Sequence, residues 1–313
     1  MNARLHRNNR EQGCIGIDIG GTKIEGVLLD ATDRVVDVCR MPSHSGEDNV
    51  VTDIVRVARI LSNEPLPIGI GIPGQVTCAT GQVRNVVNLG IETLELGERI
   101  SEIMRAPVHV ENDVNAAAVG AAEFVEHVDG NATVVFLNFG TGLAAGLVRD
   151  GQAEHGYSGC IGEIGHLPVD PNGFACPCGQ RGCLETVASG GAVAKLWPSA
   201  NPPMPDLIRK ARQGDEHAND VLGKVAHGMG DVIQIVAQAY DPQRIIIGGG
   251  MAKTGNDLIE VIQAELSRRA EGCRFLNTLD IASKIRIAAV DKPIGAIGAA
   301  LAAKRAQLGD QTV

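Results

Sequence analysis

A chain of 313 residues, 44% hydrophobic and 21% charged, is long enough for two cores, and 39 glycines against 3% aromatics favour an Ala/Val/Ile-rich α/β build with tight turns. A net charge of −9 argues against a nucleic-acid binder, because phosphate neutralisation needs a basic face, yet leaves room for a nucleotide held by glycine turns and helix termini. No stretch reaches the ~18 consecutive apolar residues of a membrane span, the N-terminus lacks the apolar run of a secretory signal, and eight cysteines in such a chain read as reduced thiols of the cytoplasm.

Residues 1–13 read as a tail. From Cys14, C-I-G-I-D-I is an apolar strand, G-G-T-K turns, I-E-G-V-L-L-D is a second strand and V-V-D-V-C-R a third. Over residues 48–62, Val50, Val51, Ile54, Val55, Ala58 and Leu61 share one helical face. P-I-G-I-G-I-P-G follows as a short strand, and its place after a crossover helix predicts parallel pairing. Residues 94–104 form a second amphipathic helix, P-V-H-V-E-N-D a strand with a polar end, and N-A-A-A-V-G-A-A-E-F-V-E a small-residue helix. At Thr133 the opening pattern returns: T-V-V-F-L-N-F, a G-T-G turn, then L-A-A-G-L-V-R-D-G, with Asn138 where the first copy has Asp18. This internal repeat predicts two related domains, residues 14–118 joined by a C-terminal helix over 294–307, and residues 119–293. Beyond a cysteine cluster, W-P-S-A-N-P-P-M-P is a connector. Helices follow over 217–239 and 256–269, with the buried strand D-P-Q-R-I-I-I-G-G-G-M between them. K-I-R-I-A-A-V is a strand, and I-G-A-I-G-A-A-L-A-A-K-R-A a close-packing helix with basic residues at its end.

Three glycine turns each close an apolar strand: Gly20, Gly21, Thr22 and Lys23 after Asp18; Gly140, Thr141 and Gly142; and Gly248, Gly249 and Gly250. Adjacent glycines let backbone amides point at an anion, and Asp18 is placed to hold Mg2+ through water. Each turn alone is equally a plain hairpin; the three together favour a nucleotide. The first is not G-x-G-x-x-G and is followed by a strand, which excludes a Rossmann site, and no P-loop motif occurs. Glu111-Asn112-Asp113-Val114-Asn115 stands between a strand and a helix. A carboxylate there suits a general base, although a helix cap by Asp113 or Asn115 is the better reading of these residues alone. His166, Cys176, Cys178 and Cys183, spaced His-x9-Cys-x-Cys-x4-Cys, suit a closed tetrahedral zinc shell that is structural and does not activate water. Glu163 and Glu185 flank this clip. The remaining cysteines (Cys14, Cys39, Cys78, Cys160, Cys273) read as small buried or half-buried hydrophobes.

Taken together, D-I-G-G-T-K, E-N-D-V-N-A-A-A, F-G-T-G, and G-E-I-G-H followed by C-P-C-G-Q-R-G-C-L-E resemble the motifs of the ROK family of bacterial sugar kinases and repressors, from Ile15 to about Ala303. The resemblance implies a two-domain actin-like ATPase fold, a duplicated RNase-H-like unit with an interdomain cleft. It implies ATP and Mg2+ on the glycine turns, a structural Zn2+ in the clip, and a hexose phosphorylated at its 6-hydroxyl. It turns Asp113 from cap to general base, and gives the sugar to Gly74, Asn88, Asn112, Glu163, His166 and Glu185. His166 would serve zinc with one nitrogen and the sugar with the other. The glucokinase branch is the most similar. Kinases of N-acetylmannosamine, N-acetylglucosamine, fructose, mannose or allose are alternatives, as is a sugar-responsive repressor, for which the expected N-terminal helix-turn-helix has only some 13 residues of room. A homodimer or homotetramer is expected by the same analogy. V-N-L-G-I lacks the aromatic common after that asparagine in related glucokinases, and Ala144 and Ala145 replace glycines frequent in the second turn.

Overall fold

The first strand, β1 (Cys14–Ile19), buries almost every residue, as a strand covered on both faces must. It pairs antiparallel with β2 (Lys23–Leu29), which pairs with the edge strand β3 (Val35–Pro42). Helix α1 (Glu47–Leu61) carries the expected apolar face, and the chain returns as β4 (Ile68–Ile72), parallel to β1. Three short strands, β5 (Gln75–Thr77), β6 (Gln82–Val86) and β7 (Ile91–Glu95), make a small antiparallel sheet. Sequence reasoning missed them because their exposed positions are polar and their runs too short to show a period. Helix α2 (Leu96–Met104) leads to β8 (Val108–Asn112), parallel to β4, and then to α3 (Asp113–Ala122). The helix therefore starts two residues before the predicted N-A-A-A run and stops short of its E-F-V-E end. The main sheet has the order β3-β2-β1-β4-β8.

The structure, a computed structural model, describes residues 13–125, 128–129 and 131–309. The predicted tail, apart from Gly13, lies outside them. The repeat begins at β9 (Thr133–Phe139) and turns into its antiparallel partner β10 (Leu143–Arg149), followed by the short β11 (Gln152–Ala153). Past the clip come α4 (Glu185–Ala188), α5 (Gly190–Leu196), α6 (Pro203–Arg212) and α7 (Glu216–Tyr240). Helix α6 starts inside the predicted connector, since Pro203 sits in the first turn, where its missing N–H costs nothing. Strand β12 (Arg244–Gly248) runs parallel to β9. Helices α8 (Asn256–Ala270), α9 (Arg274–Leu279) and α10 (Ile281–Lys284) precede β13 (Ile285–Ile287), parallel to β12. Helix α11 (Ile294–Gly309) ends the described chain.

The second unit thus repeats the first: a hairpin, then parallel strands added beside its first strand, in the order β10-β9-β12-β13. Asp18 pairs with Gly71 in the first unit, and Asn138 with Gly248 in the second. Contacts divide the described chain into one unit of residues up to Phe124, Gly151–Cys160 and those from Asp291, and another of Val125–Asp150 and Ile161–Val290. Residues 151–160, read in the sequence as part of the larger domain, group with the first unit. There β11 packs against α3 and α11. Each unit has its own apolar core. In the first, α11 lies directly on Gly16 and Gly69, while Val57 and Leu61 of α1 lie on Gly26, whose strand partner Ile17 faces opposite to Gly16. The two helices therefore cover opposite faces of the sheet, and the small residues let α11 approach closely.

Candidate functional site

In the first unit the predicted residues gather at the carboxyl ends of β1, β4 and β8. The turn after Asp18 is tight: the Gly20 N–H donates to the Lys23 carbonyl at 2.9 Å, and the Ser43 hydroxyl donates to the Gly20 carbonyl at 2.6 Å. Gly21 packs against Asn88, which is exposed on the single turn Val87–Leu89. The Lys23 ammonium lies 3.7 Å from the buried Glu25 carboxylate. Asp18 keeps some exposed surface, but its carboxylate is enclosed by Gly71 and by Gly295 in the first turn of α11. Burial, then the like charge of Asp113, pushes it up to about 7.

The cap of α3 is Asn112, not Asp113 or Asn115 as the residues alone suggested. Its side-chain oxygen accepts from the backbone N–H groups of Val114 (2.9 Å) and Asn115 (3.3 Å). Its Nδ2 donates to the Gly74 carbonyl at 3.1 Å, which fixes the left-handed turn at Gly74 to the end of β8. Asp113, half-buried, occupies the first helical position, where the helix dipole favours a carboxylate.

The second unit brings two glycine turns together. Gly249 has φ +76°, and a Cβ there would fall 2.6 Å from the Gly140 nitrogen, so only glycine lets the turn after β12 lie against the G-T-G turn. Thr141 stays exposed. Glu185, half-buried at the start of α4, accepts a hydrogen bond on Oε2 from the Leu143 N–H at 2.9 Å and lies against Gly142. G-E-I-G-H runs along β10: the Ala145 N–H donates to the Gly162 carbonyl at 2.8 Å, and a Cβ at Gly162 would fall 1.8 Å from the Ala145 oxygen. That close approach leaves the Glu163 carboxylate exposed and 3.9 Å from Nε2 of His166.

His166, Cys176, Cys178 and Cys183 converge. Cys178 and Cys183 sulfurs are 3.6 Å apart, Cys176 sulfur is 3.8 Å from Nδ1 of His166, and the four donor atoms lie within 4.8 Å of one another. Tetrahedral bonds of zinc to sulfur and nitrogen put donor atoms about 3.5 to 3.8 Å apart, so the set fits that ion. Hydrogen bonds from Gln180, backbone first, bring Cys178 down to about 6, whereas burial pushes Cys183 up to about 12. With Nδ1 turned to the thiols, Nε2 of His166 faces Glu163.

One cluster was not singled out from the sequence. Cys78, Glu111 and His155 meet in the first unit. Cys78 is half-buried, as expected, whereas Cys160, also expected to be at least half-buried, is exposed. Cys14 is buried as expected, and burial pushes it up to about 12. His155 Nε2 lies 2.7 Å from Glu111 Oε2 and 3.4 Å from the Cys78 sulfur. Burial works to raise Glu111, but hydrogen bonds from His109 and His155 hold it at about 2, and contacts with Cys78 and Glu111 push His155 up to about 10.

The chain is 31% identical to the glucokinase of Halalkalibacterium halodurans over 316 residues, covering 91% of this chain and 92% of that protein. It is 30% identical to the N-acetylmannosamine kinase of Escherichia coli O1:K1 / APEC, covering 80% of this chain and 88% of that protein. Among solved structures it is similar to the ROK family glucokinase of Streptomyces griseus in complex with glucose and AMPPNP, with 28% identity, a TM-score of 0.76, and coverage of 94% of this chain and 99% of that one. The duplicated sheet is that of the actin-like ATPase fold. The ROK family pattern matches residues 14–306, which takes in every motif described above, and the chain belongs to the ROK family.

Proposed function

We propose that this protein is an ATP-dependent sugar kinase that phosphorylates the 6-hydroxyl of a hexose, with glucose as the first candidate. The observation that carries the proposal is the end of β8: Asn112 takes the capping role and binds the Gly74 carbonyl, and Asp113 stands at the first helical position. Asp113 accepts the proton of the 6-hydroxyl as the oxygen bonds to the γ-phosphorus and ADP leaves. Positioning and charge neutralisation supply most of the acceleration in phosphoryl transfer. The turns at Gly20–Lys23, Gly140–Gly142 and Gly248–Gly250 present backbone amides to the nucleotide. Asp18 would hold Mg2+, which neutralises phosphate charge, and the cation in turn offsets the cost of that enclosed carboxylate. Gly74, Asn88, Asn112, Glu163, His166 and Glu185 hold sugar hydroxyls.

His166, Cys176, Cys178 and Cys183 would hold a structural zinc, which supplies no chemistry of its own. Its effect is to fix His166 through Nδ1, leaving Nε2 and Glu163 for the sugar, while Glu185 is fixed by the Leu143 N–H. A second reading, an N-acetylmannosamine or N-acetylglucosamine kinase, is favoured by the similarity to the Escherichia coli enzyme, and fructose, mannose and allose remain candidate substrates. A repressor is disfavoured by the two retained phosphate turns. The same family reading proposes a cytoplasmic homodimer or homotetramer; no helix among the described residues is long and apolar enough to cross a membrane.

A coupled ADP-release assay across hexoses and N-acetylhexosamines tests the proposal, with the product's phosphate position read by NMR. Sugar-dependent ADP release with a 6-phosphate product is expected. A chain loaded with zinc and MgATP that turns over none of these sugars refutes it.

A further inference from the structure

The Cys78, Glu111 and His155 cluster takes no part in the proposed transfer, and its geometry differs from that of an ordinary ion pair. Cys78 follows β5, Glu111 lies on β8 and His155 follows β11, yet thiol, carboxylate and imidazole converge within 4.8 Å. A nucleophile relay would put the thiol on one imidazole nitrogen and the carboxylate on the other. Here both face the same Nε2, at 3.4 and 2.7 Å. A buried ion pair needs only His155 and Glu111. The third convergent donor, the sulfur, is 3.8 Å from Glu111 Oε1.

We propose that Cys78, Glu111 and His155 form a second metal site, for a borderline-soft divalent cation of the Zn2+ class, with three protein ligands and one position left to water or a small anion. Thiolate, imidazole and carboxylate are the donor types such an ion selects. Three-ligand shells with an open position contrast with the closed four-ligand clip. The sulfur–nitrogen separation already matches the edge of about 3.5 Å that tetrahedral zinc requires. The 2.7 Å nitrogen–oxygen pair must open to admit an ion, and the His155 side chain, 38% exposed, has solvent on one side into which it can shift. An outer shell is present. Glu111 Oε1 accepts from the Asn112 N–H at 2.9 Å and from Asn115 Nδ2 at 3.2 Å, which aims the carboxylate as supporting residues do in metal centres. A cation here ties the strand end two residues before Asp113 to the segments carrying Cys78 and His155.

Equilibrium dialysis of the full chain against Zn2+, with metal counted by mass spectrometry, tests this. Wild type should bind two equivalents. Cys78→Ser and His155→Gln should each retain the clip's equivalent and weaken the other by at least about 100-fold. Asn115→Ala should weaken it about 10- to 100-fold, the range for outer-shell losses. Cys178→Ser should lose the clip's equivalent and keep this one, which separates failure of one site from failure of the other. In wild type, Zn2+ should also slow alkylation of Cys78 by iodoacetamide, a readout that does not depend on any variant folding. A single equivalent removed only by Cys178→Ser, two equivalents indifferent to Cys78→Ser and His155→Gln, or Cys78 alkylation unaffected by Zn2+ would each overturn the proposal.

Discussion

Replacing Gly162 by alanine strikes the contact that aims Glu163 and His166. Gly162 has φ +93°, a conformation that costs an L-residue with a side chain about 1 to 2 kcal/mol. The added Cβ would sit 1.8 Å from the Ala145 oxygen, so the loop must move away from β10. The movement breaks the 2.8 Å hydrogen bond from the Ala145 N–H to the Gly162 carbonyl, a loss of about 1 kcal/mol. The sum is about 2 to 3 kcal/mol. Gly173 supplies the control: its φ is +62°, but a Cβ there meets nothing within 4 Å, so Gly173→Ala should lose only the backbone part, about 1 to 2 kcal/mol. Urea unfolding followed by circular dichroism measures the difference, and steady-state kinetics measures the consequence. Gly162→Ala should raise the sugar KM by about tenfold or more, since both carboxylate and imidazole shift with the loop; tenfold corresponds to only about 1.4 kcal/mol. Equal stability losses for the two variants, together with an unchanged sugar KM for Gly162→Ala, would refute the idea that this backbone contact positions the sugar ligands.

Cys178→Ser should lose the clip's zinc and sugar affinity together; atomic absorption that still finds this metal in the variant would sink the clip assignment. Glu265 is buried, which alone would raise its carboxyl, but hydrogen bonds from Arg268 and Arg269 hold it at about 2. With its folded value below the unfolded one, its contribution is present above pH ~4.5 and is lost as pH falls toward about 2. Glu265→Gln should therefore be less stable than wild type at pH 7, with the gap closing as the medium is acidified through that window. A gap that stays constant from pH 7 to pH 3 would contradict the assigned role of the arginines.

The parts of the molecule legible in the sequence are those whose physics is local. Apolar runs ending in glycine turns marked β1, β9 and β12, and the repeat of strand, turn and strand at Asp18 and Asn138 anticipated the doubled sheet. The convergence of His166, Cys176, Cys178 and Cys183 was legible because the four lie close in sequence, at a spacing that suits a metal. What escaped has no local period. The sheet of β5, β6 and β7 is short and largely polar on its exposed positions. Asn112, the cap, also binds the Gly74 carbonyl, a contact across 38 positions that no helix-start rule contains. Glu111 and His155 are 44 positions apart, and Cys78 and His155 77 apart, so only the tertiary fold reveals that they converge. Residues 151–160 changed unit for the same reason: their packing against α3 and α11 leaves no mark on their composition.

The claim that Asp113 is the general base is tested most directly by Asp113→Asn, which keeps the side chain's size and its place at the start of α3. Sugar binding by calorimetry and turnover by the coupled assay should separate. The dissociation constant should stay within about threefold, while kcat falls by about 10²- to 10⁴-fold, the range for loss of a positioned base. An Asp113→Asn enzyme that phosphorylates sugar at near wild-type rate would contradict the account.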